Sequence, residues 1–320
     1  MNIDTNTLPK NRIQLYGYDN YFNEFLKMYQ SEILPNKILL SGLSGIGKAT
    51  FIYHFVNYIL SINEEYKYDV NSFSINKDNR SFNLINENIH PNFHLIELGE
   101  NKQNIEISQI RNMINYVHKT TFDKSFKFVL IDNVEYLNIN SVNALLKITE
   151  DFHNKTIFFL NHNSSKKIID TLKSRFVKFN ISFTNTENIL NLNKILLTDG
   201  DKINQALIEE LFSYYDTPGQ IIYLINFAKE MSINLENFSL DDLIITMFEL
   251  NKKNINNQNF NLLNNLIELG LYKKFQTTKN KGKIYSIYSS FIKQVNDKKI
   301  YNLDTNNLYY EIKNKYFDAK

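Results

Sequence analysis

Short apolar runs and longer mixed segments take turns along the first half of the chain. Runs at residues 37–40, 93–97, 126–131, 156–160 and 177–179 have the length and composition of buried strands. After the first run, Phe51, Phe55 and Ile59 recur at helical spacing, with Ile52, Val56 and Leu60 widening that face. Ile107, Ile110, Met113 and Ile114 form a second stripe, and residues 141–150 are a third helical candidate. Strands alternating with helices in this way predict a parallel α/β sheet. Residues 62–88 are polar, Asn-rich and weakly patterned, and read as a surface excursion. Beyond Ser182 the pattern is helical throughout, most clearly at 209–214, 220–231 and 240–251. Residues 277–283, Thr-Thr-Lys-Asn-Lys-Gly-Lys, read as a solvated basic loop to which no function attaches. No internal repeat is visible.

The turn between the first strand and the first striped helix carries the most specific chemistry. Gly42-Leu43-Ser44-Gly45-Ile46-Gly47-Lys48-Ala49-Thr50 has the two glycines and the lysine of a phosphate-binding loop. Strand, glycine loop and helix in that order aim backbone N–H groups and a helix N-terminus at an anion. Gly42, Gly45, Gly47, Lys48, Ala49 and Thr50 are therefore the candidate nucleotide contacts. One position departs from the motif. The residue after the lysine should be Ser or Thr, whose hydroxyl ligates Mg²⁺, and Ala49 has none. Thr50 lies one residue on, a rotation of about 100°, and points elsewhere.

A second motif matches the first. Phe128-Val129-Leu130-Ile131-Asp132 is an apolar strand ending in an acid, the usual holder of Mg²⁺ in such sites. Where hydrolysing relatives of this type carry a glutamate as base, the next residue is Asn133, and an amide cannot accept the proton. Glu135 lies past the strand end and needs an unusual turn to substitute. Both attachments for hydrolysis are thus missing while the phosphate cradle is kept.

Composition removes several function classes. The 320 residues carry a formal net charge of +2, so any nucleic-acid contact has to come from a local patch. There is no cysteine, which excludes disulfides and thiolate-bound zinc. The six histidines show no metal-ligand spacing. The polar start of the chain lacks a signal-peptide core, and no apolar run has membrane-spanning length, so the expectation is a cytoplasmic protein without a membrane partner.

Downstream residues then become specific. Asn143-Ala144-Leu145-Leu146-Lys147 follows the second motif, a strand leads to Asn161-His162-Asn163, and Leu172-Lys173-Ser174-Arg175-Phe176 comes next. This series resembles the clamp-loader branch of the AAA+ ATPases. With Gly-Ile-Gly-Lys-Ala-Thr and His90-Pro91-Asn92-Phe93, it is similar to the delta-prime subunits of bacterial DNA polymerase III. The likeness is close over residues 16–178 and looser through Tyr215-Asp216-Thr217-Pro218-Gly219-Gln220, which resembles the family's lid turn.

The resemblance implies a RecA-like AAA+ parallel-sheet domain at 1–182, a small helical lid at 183–238 and a helical collar at 239–320. It implies a stator that helps place a sliding clamp on primed DNA, in a heteropentamer with gamma/tau motor subunits and a delta subunit. It implies that Arg175 reaches a neighbour's ATP site in trans and that Asn161 stands at the sensor position. ATP or ADP can be held without turnover, or the loop can stay empty, and the residues leave both open. Phe176 replaces the usual Cys, Gln220 stands where active relatives carry a sensor arginine, and Asp151-Phe152 replaces an acid–proline pair. The family's four-cysteine zinc module is absent. Three rival readings remain: an ATP-hydrolysing motor subunit, a P-loop kinase, and a DNA-binding regulator. Ala49 and Asn133 count against the first, the 143–147 and 172–175 segments against the second, and the near-neutral charge against the third.

Overall fold

A computed structural model of the chain describes residues 8–99, 102–119, 126–151, 155–213, 217–250, 257–301 and 305–317. Tyr215, Asp216 and Phe152, singled out above, lie outside the described residues, as do the last residues of the 209–214 and 240–251 helices. The chain divides into two compact units, one of Met1–Gly200 with Thr217–Ile222, the other of Asp201–Asp216 with Tyr223–Lys320.

The first unit contains α1 (Asp19–Gln30), β1 (Lys37–Gly42), α2 (Lys48–Leu60), α3 (Arg80–Asn86), β2 (Phe93–Ile96), α4 (Ile107–His118) and β3 (Lys127–Ile131). There follow α5 (Ile139–Asp151), β4 (Thr156–Asn163), α6 (Asp170–Lys173), β5 (Val177–Asn180) and α7 (Asn185–Asp199). All five expected strands form one parallel sheet in the order β2-β3-β4-β1-β5. Burial on both faces explains the apolar runs of β1, β3 and β4. Phe128 and Leu130 of β3 pack with Phe159 of β4 and Phe51 and Phe55 of α2 on one face. Val129 and Ile131 pack with Leu160, Ile110 and Leu145 on the other, the two-residue alternation of a strand. At one edge β5 is only four residues long, with Val177, Lys178 and Asn180 exposed.

The 62–88 segment is not a surface excursion. Tyr68, Ile75, Phe82 and Ile85 are buried in the α2-side core. Its polar residues are consumed internally. Asn79, fully buried, caps α3 by accepting from the Phe82 N–H at 2.7 Å and from Asn57 Nδ2 at 2.9 Å, and donates to the Tyr66 carbonyl at 2.6 Å. A buried polar cluster leaves no simple periodicity, which is why the pattern misleads.

Helix α7 belongs to the first unit, past the 182/183 boundary drawn from the resemblance. Arg12 Nη1 pairs with Asp199 at 2.7 Å, and the Tyr16 hydroxyl meets Thr198 Oγ1 at 2.5 Å. The second unit is helical: α8 (Gln205–Phe212), most of α9 (Pro218–Glu230), α10 (Leu240–Leu250), α11 (Asn257–Thr277), α12 (Lys281–Tyr301) and α13 (Thr305–Phe317). Leu243, Met247, Leu263, Ile267, Phe291 and Ile312 are among its buried residues. The basic 277–283 segment is only partly a loop, since Lys281 already starts α12.

Candidate nucleotide site

In an open parallel sheet, ligands bind beyond the carboxyl ends of the strands where connections part to either side. Here β1 connects toward β2 and β4 toward β5, and the glycine loop leaves β1 at that place. The loop is folded as its sequence requires. Gly45 and Gly47 adopt φ of 82° and 94°, the left-handed region that side chains avoid, and Gly47 caps α2. From one side the Tyr18 hydroxyl donates to the Ile46 carbonyl at 3.0 Å, its ring stacked on Phe51 at 5.1 Å.

Lys48 is turned inward. Its Nζ donates to the carbonyl oxygens of Gly42 at 2.9 Å and Leu43 at 2.6 Å, and the side chain is buried. Burial lowers its pKa to about 8, against the opposing pull of Asp132 and Glu135. To meet a phosphate, this ammonium has to exchange two carbonyl partners for phosphate oxygens. Ala49 packs its methyl toward the apolar core, and Thr50 is half-buried one position further round the helix.

The β3–β4 register sets Ile131 opposite Leu160, so Asp132 and Asn161 follow side by side. Asn161 Nδ2 donates to one Asp132 oxygen, and Asn133 Nδ2 donates to the other at 3.1 Å. Burial raises the Asp132 pKa, while the Asn161 hydrogen bond and Lys48 oppose the rise. Asn161 Oδ1 is buried without a hydrogen-bond partner in the described structure. His162 points to the other side of the strand, where Nδ1 accepts from the Ser41 hydroxyl at 3.0 Å and Nε2 donates to the Lys166 carbonyl at 2.9 Å. It shares no contact with Asp132.

Glu135 is the residue that sequence reasoning undervalued. Asn133 takes φ 55° and ψ 58°, the unusual turn that Glu135 needs. Glu135 then accepts from the Asn163 N–H at 3.2 Å, and its charge acts on both Lys48 and Asp132. The signal was present: after glycine, Asn is among the residues most at ease in the left-handed region.

The turn that opens α9 sits directly on the loop. Thr217 Oγ1 donates to the Ser44 carbonyl and the Gly219 N–H to the Gly45 carbonyl, each at 2.8 Å. A Cβ on Gly219 would lie 2.7 Å from the Gly45 oxygen, so only glycine fits. Gln220 Oε1 accepts from the Thr217 N–H at 3.0 Å and caps its own turn instead of facing the loop.

Arg175 stands apart, in the turn between α6 and β5. It forms an ion pair with Glu150 near the end of α5, and 39% of its side chain remains exposed. Phe176 beside it is buried among the α4- and α5-side apolar residues, filling the place of a small packing residue with a larger one.

Loop amides and Lys48 suit phosphate oxygens. Asp132 has both oxygens engaged by amides, and among the described residues no group of three His, Asp or Glu could hold a metal ion. No helix among those residues is long and apolar enough to cross a membrane.

Comparison with known proteins bears on the same stretch. The chain is 27% identical over 140 residues to a DNA polymerase III subunit delta' of Pseudomonas aeruginosa, covering 44% of this chain and 41% of that protein. It is 24% identical over 197 residues to the subunit delta' of Buchnera aphidicola subsp. Schizaphis graminum, covering 62% and 57%. The first curated relatives are thus matched over about two fifths of their length. A solved DNA polymerase III gamma subunit-related protein from Thermotoga maritima is 15% identical with a TM-score of 0.47, covering 92% of this chain and 100% of that one. Residues 17–185, just over half of the chain and the part that builds the sheet and the loop, match the family described as DNA polymerase III, delta subunit, and the chain belongs to that family, as a delta-prime-like clamp-loader subunit.

Proposed function

We propose that this chain is a non-hydrolysing stator of a clamp loader, whose contribution to ATP turnover is Arg175 acting in trans. It assembles with gamma/tau-type motor subunits and a delta subunit in a heteropentamer that sets a sliding clamp on primed DNA. Any ATP or ADP taken by the loop is held without turnover. In this reading residues 183–238 serve as lid and 239–320 as collar.

The observation that carries the reading is a contrast between two cations. Lys48, the chain's own phosphate ligand, is buried on its loop's carbonyls beneath the Thr217–Gly219 turn. Arg175 is half-exposed and held by one carboxylate, an exposed ion pair that costs little to exchange. A guanidinium's planar fork matches phosphate oxygens, and arginine fingers speed phosphoryl transfer by about 10³–10⁵. The test is clamp- and primer-stimulated ATP hydrolysis by the reconstituted loader. Arg175→Ala is expected to lower turnover at the neighbouring site it completes by about a thousandfold, read as a clear drop in the loader's total turnover with the ring still assembled. Unchanged turnover in an assembled ring refutes the finger.

The motor reading has one observation in its favour, the placement of Glu135 beside Lys48 and Asp132. Phosphate release by the isolated chain separates the two. A stator gives background release that Glu135→Gln leaves unchanged, and a motor gives turnover that this substitution abolishes.

A further inference from the structure

The near-neutral net charge hides a strong segregation. Residues 269–296 hold six lysines and no Asp, Glu or Arg, so this stretch carries +6 in a chain whose total is +2. It spans the end of α11, the turn and most of α12.

Two of these lysines are engaged within the helical unit. Lys273 pairs with Glu210 of α8 at 2.6 Å, and Lys274 donates to the Tyr316 carbonyl at 2.6 Å. Lys279, Lys281 and Lys283 are exposed at the tip of the α11–α12 hairpin. Asn280 Oδ1 accepts from the Lys283 N–H at 3.2 Å, which places Lys281 and Lys283 in the first turn of α12. That end of a helix is its positive pole, where cations are disfavoured. Three lysines and a helix N-terminus thus fall within five residues of chain, where a bound anion offsets their unfavourable charge. Exposed aromatic rings flank it. Phe275 lies under Lys281 Nζ at 5.4 Å, and Tyr285, 67% exposed, follows on α12. Lysines interleaved with exposed rings suit a strand whose phosphates need neutralising and whose unpaired bases can stack. A folded acidic protein surface supplies the charge but not the row of evenly spaced phosphates and unpaired bases, and competition by polyglutamate tells the two apart.

We propose that the α11–α12 tip binds single-stranded nucleic acid, with phosphates on Lys279, Lys281 and Lys283 and unpaired bases stacked on Phe275 and Tyr285. The site lies on a different unit from Arg175 and is measured on the isolated full chain, so its failure and that of the stator reading are separable.

The experiment is fluorescence anisotropy of a labelled oligothymidylate of about 16 nucleotides, titrated with the full chain between about 50 and 200 mM KCl. Three phosphate contacts predict a log–log salt slope near about −2. Lys279→Ala/Lys281→Ala/Lys283→Ala is expected to weaken binding at least about tenfold and flatten that slope, with an unfolding temperature equal to or above wild type because repulsion is removed. Tyr285→Ala is expected to weaken binding about tenfold and leave the slope intact. The proposal is overturned if the wild type does not bind at the lowest salt, or if the triple variant binds like wild type. It is equally overturned if duplex of the same length or polyglutamate competes as well as the single strand.

Discussion

His54 is fully buried on α2, where Nε2 donates to the Arg12 carbonyl at 3.0 Å and Nδ1 accepts from the Tyr68 hydroxyl at 3.1 Å. Burial drives its pKa down to about 3, only weakly opposed by the Arg12 hydrogen bond. Between pH 3 and the ordinary histidine value the unfolded chain binds a proton that the folded chain refuses, so stability rises with pH across that window. Denaturant titrations are expected to show stability falling by roughly 1.4 kcal/mol per pH unit from this group as pH drops below about 6.5. In His54→Gln that part of the slope disappears. At the nucleotide loop, Ala49→Ser restores the hydroxyl but not the base that Asn133 lacks. Phosphate release by the isolated variant is expected to stay at background, and measurable turnover would show that one hydroxyl was the only thing missing. Single residues were legible where geometry is local: the glycines of residues 42–47 announce a tight turn between strand and helix, and Gly45 and Gly47 take the left-handed backbone it needs. The burial that lowers the Lys48 pKa was not legible, since it depends on elements that meet around the loop only in the fold.

Among the elements, β1, β3 and β4 were readable because burial on both faces leaves each a continuous apolar stretch. The segment around α3 failed for the opposite reason. Its fold is held by Asn79, whose three hydrogen bonds tie α2, α3 and Tyr66 together, and hydrophobic periodicity is blind to an amide. Asn79→Ala removes the cap and strands buried partners, and is expected to cost about 2–3 kcal/mol in chemical unfolding. The Thr217–Gly219 turn is a similar long-range surprise. A proline–glycine pair reads as a local turn, but here the glycine is demanded by the Gly45 backbone from far upstream in the sequence. Gly219→Ala is expected to lower stability by about 1–3 kcal/mol as the turn is pushed off the loop. A wild-type midpoint would mean that the turn shifts at no cost.

At the scale of the whole molecule, the family was legible because several short motifs occur in the right order, though each is weak alone. The charge segregation was legible only in part: residues 277–283 read as a basic loop, but that they lie at the tip of a helical hairpin is a fact of the fold. The proposed ring gives the Arg175–Glu150 ion pair a definite test. If Glu150 only parks the guanidinium until a neighbour's phosphate takes it, Glu150→Gln in the reconstituted loader is expected to keep wild-type turnover. A loss as deep as that of Arg175→Ala would make the carboxylate part of the finger.

The strand that follows Arg175 has a consequence for any such neighbour. β5 closes its side of the sheet with four residues, exposed Lys178 and Asn180 among them. A short, charged margin is a poor template for an incoming chain. A protein that approaches Arg175 therefore gains little by adding a strand to the sheet and does better to hold on through side chains. Contacts of that kind open and reseal one at a time, without unzipping a ladder of backbone bonds, which suits a joint that has to flex repeatedly while its two halves stay folded.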